Sequence, residues 1–459
     1  MEYNFDIKKI KYSSNFEIRK AELLKFLEFY FLNNRPKNFI DYEKELTSFL
    51  PELMMNMSFD ELLYLIPNYY QFCYTVTIEE DFLNVQSKIL KKLLNPFSKI
   101  LKKKLINLNI KPLEYNLVDN NYVIICRHAK TQGMYAPGKA IYSITSGLLK
   151  KHKKVILISL GGIDRKFFDL KNIYPELILV KKHQNSTSYE QLINLRGICQ
   201  KFKPTKIITE MPVNIGTALY FSKVSSKFIY WSPGFTHVPW FDNVLLVPEL
   251  VNKKFIKNKK FVEIPTSLNF ELLNPNVNPQ DLNEFKNKYF ISNSDFVIGT
   301  FSRYEKISVE YLNLVSKILG ENLSMKIIIA GSNDRSLTEN KLKKFIIRKQ
   351  AIILGTSDIH LLGNCCNVFL DTTPFPCGFS AIEIMAKGKP VLSLNSTNLG
   401  NYKKSRISEL IFNNEGDLIH CLKDFQSETY FYKSMSEKSV EIAKGFDNET
   451  KLINLIDSL

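Results

Sequence analysis

From about residue 113 onward the chain alternates short apolar runs with longer amphipathic segments, and this alternation narrows its fold more than any other feature. "YVIIC" (Tyr122 to Cys126) is followed by a loop rich in Gly and Pro, "RHAKTQGMYAPGKA", and then by a helical segment, "IYSITSGLLKKH". "KVILISL", "TKIITE", "KFIYWS" and "NVLLVPE" follow at strand length. This βαβ rhythm predicts a parallel sheet with helices on both faces. The pattern restarts at "FVIGTF" (Phe296 to Phe301) and runs on through "MKIIIAG", "AIILG", "NVFLDT" and "KPVLSL". Two successive αβ halves predict an α/β chain with two Rossmann-like domains facing a cleft, with "FVEIPTSLN" as the crossover between them.

The first part of the chain reads differently. "AELLKFLEFYFLNN", "FDELLYLIPNYYQFCY" and "FLNVQSKILKKLLNPFSKILKKKLINL" carry apolar residues at helical spacing and no clear strand signal. The expected organisation is an all-helical N-terminal domain over 1–112, αβ domains over 113–262 and 263–440, and a C-terminal helix over 441–459 packing back on the first αβ domain. No fixed-period repeat is visible.

At 459 residues, with 45% apolar and 24% charged residues, the chain is long enough for sizeable cores in two or three domains. Its formal net charge of +16 leans towards phosphorylated ligands, polyanions or anionic lipid and says nothing about fold. Lys91, Lys92, Lys99, Lys102, Lys103 and Lys104 form one basic amphipathic segment. It reads either as a solvated helix face or as a peripheral contact with an anionic membrane. Seven cysteines, an odd count without a C-x-x-C pair, argue against a disulfide framework or a zinc site and fit a reducing, cytoplasmic compartment. "MEYNFDIKKIKYSS" has no apolar core, and no run of about 18 uncharged apolar residues occurs, so neither a secretory signal nor a spanning helix is expected.

In open parallel sheets, ligands sit outside the carboxyl ends of the strands. Three loops of the second half hold that position. Ser302-Arg303-Tyr304-Glu305-Lys306 carries two cations suited to a phosphate. Gly331-Ser332-Asn333-Asp334 follows "KIIIA". The third, "DTTPFPCGFSAIEIMAKGKPVLSL", puts Gly378 where backbone can approach a ligand, and Phe379 and Ser380 at a helix N-terminus suited to an anion. Glu383, one turn further on, is placed to accept hydrogen bonds from a ribose diol. Together the three loops read as a nucleotide-diphosphate site.

Three segments in order then carry a family likeness: "IYWSPGFTHVPWFDNVLLVPE", "VIGTFSRYEKISVEYLNLVSKIL" and "IHLLGNCCNVFLDTTPFPCGFSAIEIMAKGKPVLSL". Over roughly residues 120 to 410 the chain resembles GT-B glycosyltransferases, and among them the O-GlcNAc transferase family and its relatives, the bacterial adhesin N-glucosyltransferases. The resemblance implies an acceptor-side first αβ domain and a nucleotide-sugar-binding second one. It implies transfer of a hexose or N-acetylhexosamine from a UDP-sugar to a protein side chain or glycan, with no further cofactor. Carried over, Lys306 holds the diphosphate; Arg303 in the same loop and Gly331 in the next are the other candidate binding residues from the loop reading. Gly378, Phe379 and Ser380 bind it through backbone amides, Glu383 binds the ribose, and His360 lies in the segment that faces uracil. The family's His-Thr-Thr loop is Gly-Phe-Ser here, so side-chain donors are fewer, and there is no tetratricopeptide array.

Retaining GT-B enzymes of surface polysaccharide synthesis share the "E-x-MA-x-G-x-PV" ending but carry a second Glu eight residues before it, where this chain has Phe375. That departure favours inversion. No Asp-x-Asp pair occurs, so leaving-group charge would fall to Lys306 and helix amides rather than to a metal. Inversion needs a base. Of the six histidines, His128 in the first βα loop and His237 in "SPGFTHVPW" sit where the cleft is expected, and an imidazole suits proton removal from a hydroxyl. Glu210 and Asp164 are further candidates, and Gly133 and Gly138 could let their loop approach donor or acceptor. A basic nucleic-acid-binding protein is the alternative from another class. The interleaved aromatic and basic motif expected of one is missing, so no nucleic acid is expected as a partner. A non-catalytic scaffold with a dispensable Lys306 is the third reading.

Overall fold

A computed structural model of the chain describes residues 13–32, 50–76, 93–113, 118–131, 136–181, 186–210, 213–225, 227–232, 240, 242–246, 261–263, 267–332 and 334–459. It divides into two compact units. One comprises Met1–Ala129, Leu148–Leu246 and Ile256–Glu263; the other comprises Lys130–Gly147, Val247–Phe255 and Ile264–Leu459.

The first unit is built on seven strands: β1 (Val118–Cys126), β2 (Lys154–Ser159), β3 (Ile178–Lys181), β4 (Pro204–Thr209), β5 (Lys227–Ser232), β6 (Asn243–Leu246) and β7 (Phe261–Glu263). They pair in the order β3-β2-β1-β4-β5-β6-β7, all in parallel. The register sets Val123 beside Ile156 and Ile207. The central strands carry continuous apolar runs, residues 122–126 in β1 and 155–158 in β2, as strands of a parallel sheet covered on both faces do. Val123, Ile124, Ile125, Leu157, Ile207, Ile208, Phe228 and Ile229 are fully buried.

Before β1 the described elements are helices, including Phe16–Leu32, Phe59–Val76 and Asn95–Asn107. In the last of these, Phe97, Leu101 and Leu105 are buried, and Phe97 packs against Trp240 with ring centroids 6.1 Å apart. Its apolar stripe is therefore committed to packing, while Lys99, Lys102 and Lys103 face out. Lys91 and Lys92 lie outside the described residues.

The second unit holds β8 (Phe296–Phe301), β9 (Met325–Ala330), β10 (Ala351–Leu354), β11 (Val368–Leu370), β12 (Val391–Leu394) and β13 (Ile411–Phe412). Their order is β10-β9-β8-β11-β12-β13, again parallel throughout. All six residues of β8 are buried. Ile298, Ile327, Ile329, Leu370 and Leu392 from the sheet meet Tyr311, Leu312, Val315 and Ile318 of the helix Val309–Glu321 in one core. The C-terminal stretch is two helices rather than one. Thr429–Lys444 ends at Gly445, and Glu449–Ser458 follows.

Each sheet grows outward in both directions from its first strand, the winding of a Rossmann fold. This creates a point where the strand order reverses, and ligands of such sheets bind there, beyond the carboxyl ends. In the first unit that point lies between β1 and β4; in the second it lies between β8 and β11. The fold therefore directs attention to the loops after β1, β4, β8 and β11.

Candidate functional site

In the second unit the three loops singled out from the sequence come together. After β8 the chain makes a short turn, Tyr304–Lys306. The Tyr304 amide donates to the Ser332 carbonyl (3.1 Å), and its buried phenol donates to Leu354 O (2.7 Å). The first bond docks the first loop on the second, and the other anchors it to the end of β10. Lys306 Nζ donates to Pro376 O (3.0 Å), and Ser308 Oγ to Thr373 O (3.0 Å), which docks it on the third. Burial pulls the Lys306 ammonium below the usual lysine range. The Cys377 thiol and the Asp371 carboxylate act against that fall, and the Arg303 and Arg406 guanidiniums add to it. A diphosphate beside it would supply the missing counter-charge.

Gly331 has a structural reason to be glycine. A Cβ there would stand 1.8 Å from the Ser302 carbonyl oxygen. Gly331→Ala is expected to destabilise the fold by about 2 kcal/mol through overpacking. Thermal denaturation checks this, and an unchanged melting temperature would contradict the close approach of the two loops.

The third loop ends at Gly378, the residue before the helix Phe379–Met385. Among the described residues, the N–H groups of Gly378, Phe379 and Ser380 meet no acceptor. Such orphan amides at the start of a helix favour an anion. Glu383 lies one turn in and is buried, with 3% exposure. Its carboxylate is in ion contact with Lys139 Nζ, and its carbonyl accepts from Lys387 Nζ (3.0 Å).

Sequence reasoning missed Lys139. "YAPGKA" reads as an exposed turn, yet the helix begins at Ala136. Pro is tolerated in the first turn, where its missing N–H has no partner to lose. That helical start carries Lys139 inward to 2% exposure. Burial and then the Lys387 ammonium draw Lys139 down to about 7. Burial is also the main reason that Lys387 falls to about 7.

His360 belongs to the same cluster. It is 8% exposed, and its amide is capped by Asp358 Oδ1 (2.8 Å). Burial first, and then the Lys387 and Lys139 charges, push its imidazole down to about 2, so the ring is neutral. Its Nδ1 is buried without a hydrogen-bond partner among the described residues. A buried polar atom left so is costly unless something pairs with it.

In the first unit, the loops after β1 and β4 bring His128 and Glu210 to the reversal point. Glu210 is buried and accepts the Arg127 amide on Oε1 (2.6 Å). The Gly162 amide donates to His128 Nδ1 (3.3 Å). His128 also sits where a Cβ on Gly161 would come within 2.2 Å of Nδ1. An Nδ1 that accepts an N–H leaves the neutral ring's proton on Nε2. Asp164 is drawn to this loop by its amide bond to Ala129 O (2.9 Å). His237 and Gly133 lie outside the described residues. Gly138 is buried in the first turn of the helix that carries Lys139. Among the described residues, no three His, Cys, Asp or Glu side chains gather into a metal-ligand set, and no helix is long and apolar enough to cross a membrane.

No protein-family model matches the chain, and no curated protein matches it by sequence. Its backbone, by contrast, is similar to solved glycosyltransferases. A glycosyltransferase from Rickettsia africae ESF-5 aligns over 75% of this chain and 97% of its own, at 17% identity and a TM-score of 0.55. A variant of the Thermobaculum terrenum O-GlcNAc transferase aligns over 97% of this chain and 86% of its own, at 12% identity and a TM-score of 0.53. Anabaena HepE, solved with UDP and glucose, aligns over 74% of this chain and 98% of its own, at 13% identity and a TM-score of 0.54. At these identities the likeness is one of architecture: the chain has the GT-B fold that these glycosyltransferases share.

Proposed function

We infer that the protein transfers a hexose or N-acetylhexosamine from a UDP-sugar to a protein side chain or glycan, with inversion and without a metal. One observation carries this reading. At the point of the second sheet where ligands of such folds bind, a half-buried lysine from the loop after β8 meets the loop after β11, whose end carries three unpaired amides and, one helical turn on, a buried carboxylate. Lys306 and the amides suit a diphosphate, and the second oxygen of Glu383 suits a ribose hydroxyl. His360 Nδ1 suits one polar edge of a base. The ligands of HepE, UDP and glucose, point the same way. Leaving-group charge would be met by groups already in place, the preorganised route that needs no metal. The cytoplasm is the compartment that such a donor implies.

A binding and donor-hydrolysis screen across UDP-, GDP- and dTDP-sugars tests the reading, and flat responses throughout would overturn it. Stereochemistry tests inversion separately. Phe375 stands, half-buried, where the retaining group carries a carboxylate. An α-linked UDP-sugar should therefore give a β-linked product by direct displacement, read from the anomeric signals of the isolated product by NMR. An α-linkage would move the reaction to the retaining class. For the base, the Nδ1 bond of His128 disfavours Nε2 as proton acceptor in that tautomer, so activity that survives in His128→Ala and falls in His237→Ala is the expected pattern.

A further inference from the structure

The turn between β11 and the helix Phe379–Met385 is held in an unusual way. Pro374 and Pro376 have no N–H, so the turn has few donors with which to brace itself. Five consecutive carbonyls instead accept from side chains: Thr373 from Ser308, Pro374 from Ser396, Phe375 from Thr372, Pro376 from Lys306 and Cys377 from Arg406. Asp371, at the head of the turn, folds back on it. Its Oδ1 accepts the amides of Thr372 (3.0 Å) and Cys377 (2.6 Å). Its Oδ2 accepts from Ser393 Oγ (3.1 Å) and from Arg406 Nε and Nη2 (3.1 and 2.9 Å). Arg406 Nη1 donates to the carbonyl and hydroxyl of Ser405, both at 3.0 Å. The Arg406 and Asp371 side chains are 0% and 1% exposed.

The geometry points to Arg406 as the positioning residue of this turn: its planar fork ties the carboxylate at the head to the last carbonyl before Gly378, and so sets where Lys306 and the turn stand relative to each other. The role rests on the reading of this turn as part of a sugar-nucleotide site. Each end of the turn is bonded to one guanidinium, and the carbonyl that Lys306 holds belongs to the residue next to Cys377. A shift of the Cys377 carbonyl therefore moves the acceptor of Lys306. A lysine at 406 would keep the charge but present a point donor that cannot span both ends.

The test uses the full chain, with UDP as the probe and a UDP-sugar shown to be turned over as the donor. Arg406→Lys is expected to fold and to raise the UDP Kd and donor KM about tenfold, the loss of one charge-assisted hydrogen bond, with a smaller change in kcat. Folded Arg406→Lys with wild-type Kd and KM would overturn the positioning role. If Arg406→Lys does not fold, Ser308→Ala combined with Ser396→Ala removes two tethers from partly exposed positions. Both serines also cap helices, Ser308 by accepting the Tyr311 amide and Ser396 by accepting the Leu399 amide, so that variant should melt below wild type; assayed where it is folded it should show a several-fold higher KM, and an unchanged KM would overturn the role. Wild-type protein that binds no nucleotide overturns the site reading itself, and the positioning role with it.

Discussion

Lys306→Ala is expected to lower turnover by roughly 10²–10³ while the protein stays folded, because a cation facing the charge that develops on a leaving diphosphate contributes about 3–4 kcal/mol. The structure adds a second, smaller effect. Lys306 Nζ also tethers the Pro376 carbonyl at 3.0 Å, and loss of that bond costs about 1–2 kcal/mol in stability. The two effects separate by measurement. Thermal melting reports the tether, and kcat on a saturating donor reports the charge. Lys306→Met keeps the apolar stem, so it should recover part of the melting temperature and none of the turnover. Near-normal kcat in either variant would remove Lys306 from the reacting centre.

The second large effect is expected at Glu383. Its carboxylate meets the Lys139 ammonium with side chains 4% and 2% exposed. Removal of one partner from a buried pair leaves an uncompensated charge and costs about 3–5 kcal/mol. Glu383→Ala should therefore melt far below wild type, and weak UDP binding in that variant alone would say little about ribose. The informative variant is the pair Lys139→Met with Glu383→Leu. Buried ion pairs replaced by apolar groups of similar volume are often neutral in stability. The double variant should regain most of the melting temperature and still lose about 1–3 kcal/mol of UDP affinity through missing hydrogen bonds to the ribose. Wild-type UDP affinity in the double variant would make Glu383 a packing residue only. A carboxylate has four lone-pair sites on two oxygens, so Glu383 can hold Lys139 and accept from a ribose at once.

Much of the architecture was legible because it is written in local periodicity. The runs at Tyr122–Cys126 and Phe296–Phe301 are continuous and apolar, which only a strand buried on both faces requires, and both proved to lie at the centres of parallel sheets. The loops after "VIGTF", "KIIIA" and "NVFL" were legible as candidates for the same reason, since the end of a parallel strand is where such folds bind ligands. The start of the helix Ala136–Lys150 was not, since Pro137 and Gly138 mark a turn in isolation and are tolerated in a first helical turn.

What the sequence determined by itself was therefore the succession of strands and helices, the two αβ halves, and the chemistry at the loop ends: a lysine, a glycine turn and a carboxylate. What only the tertiary structure decided was which side chains those groups meet. Glu383 is paired with Lys139 across 244 residues of chain, and Asp371 with Arg406 across 35. No periodicity links such partners, because a buried charge selects its counter-charge by position in the folded interior, where desolvation makes an unpaired charge costly. The same interior placed Lys306 on the Pro376 carbonyl and left the Nδ1 of His360 without a partner, two facts that depend on how loops pack once the two strands flanking the reversal point have paired.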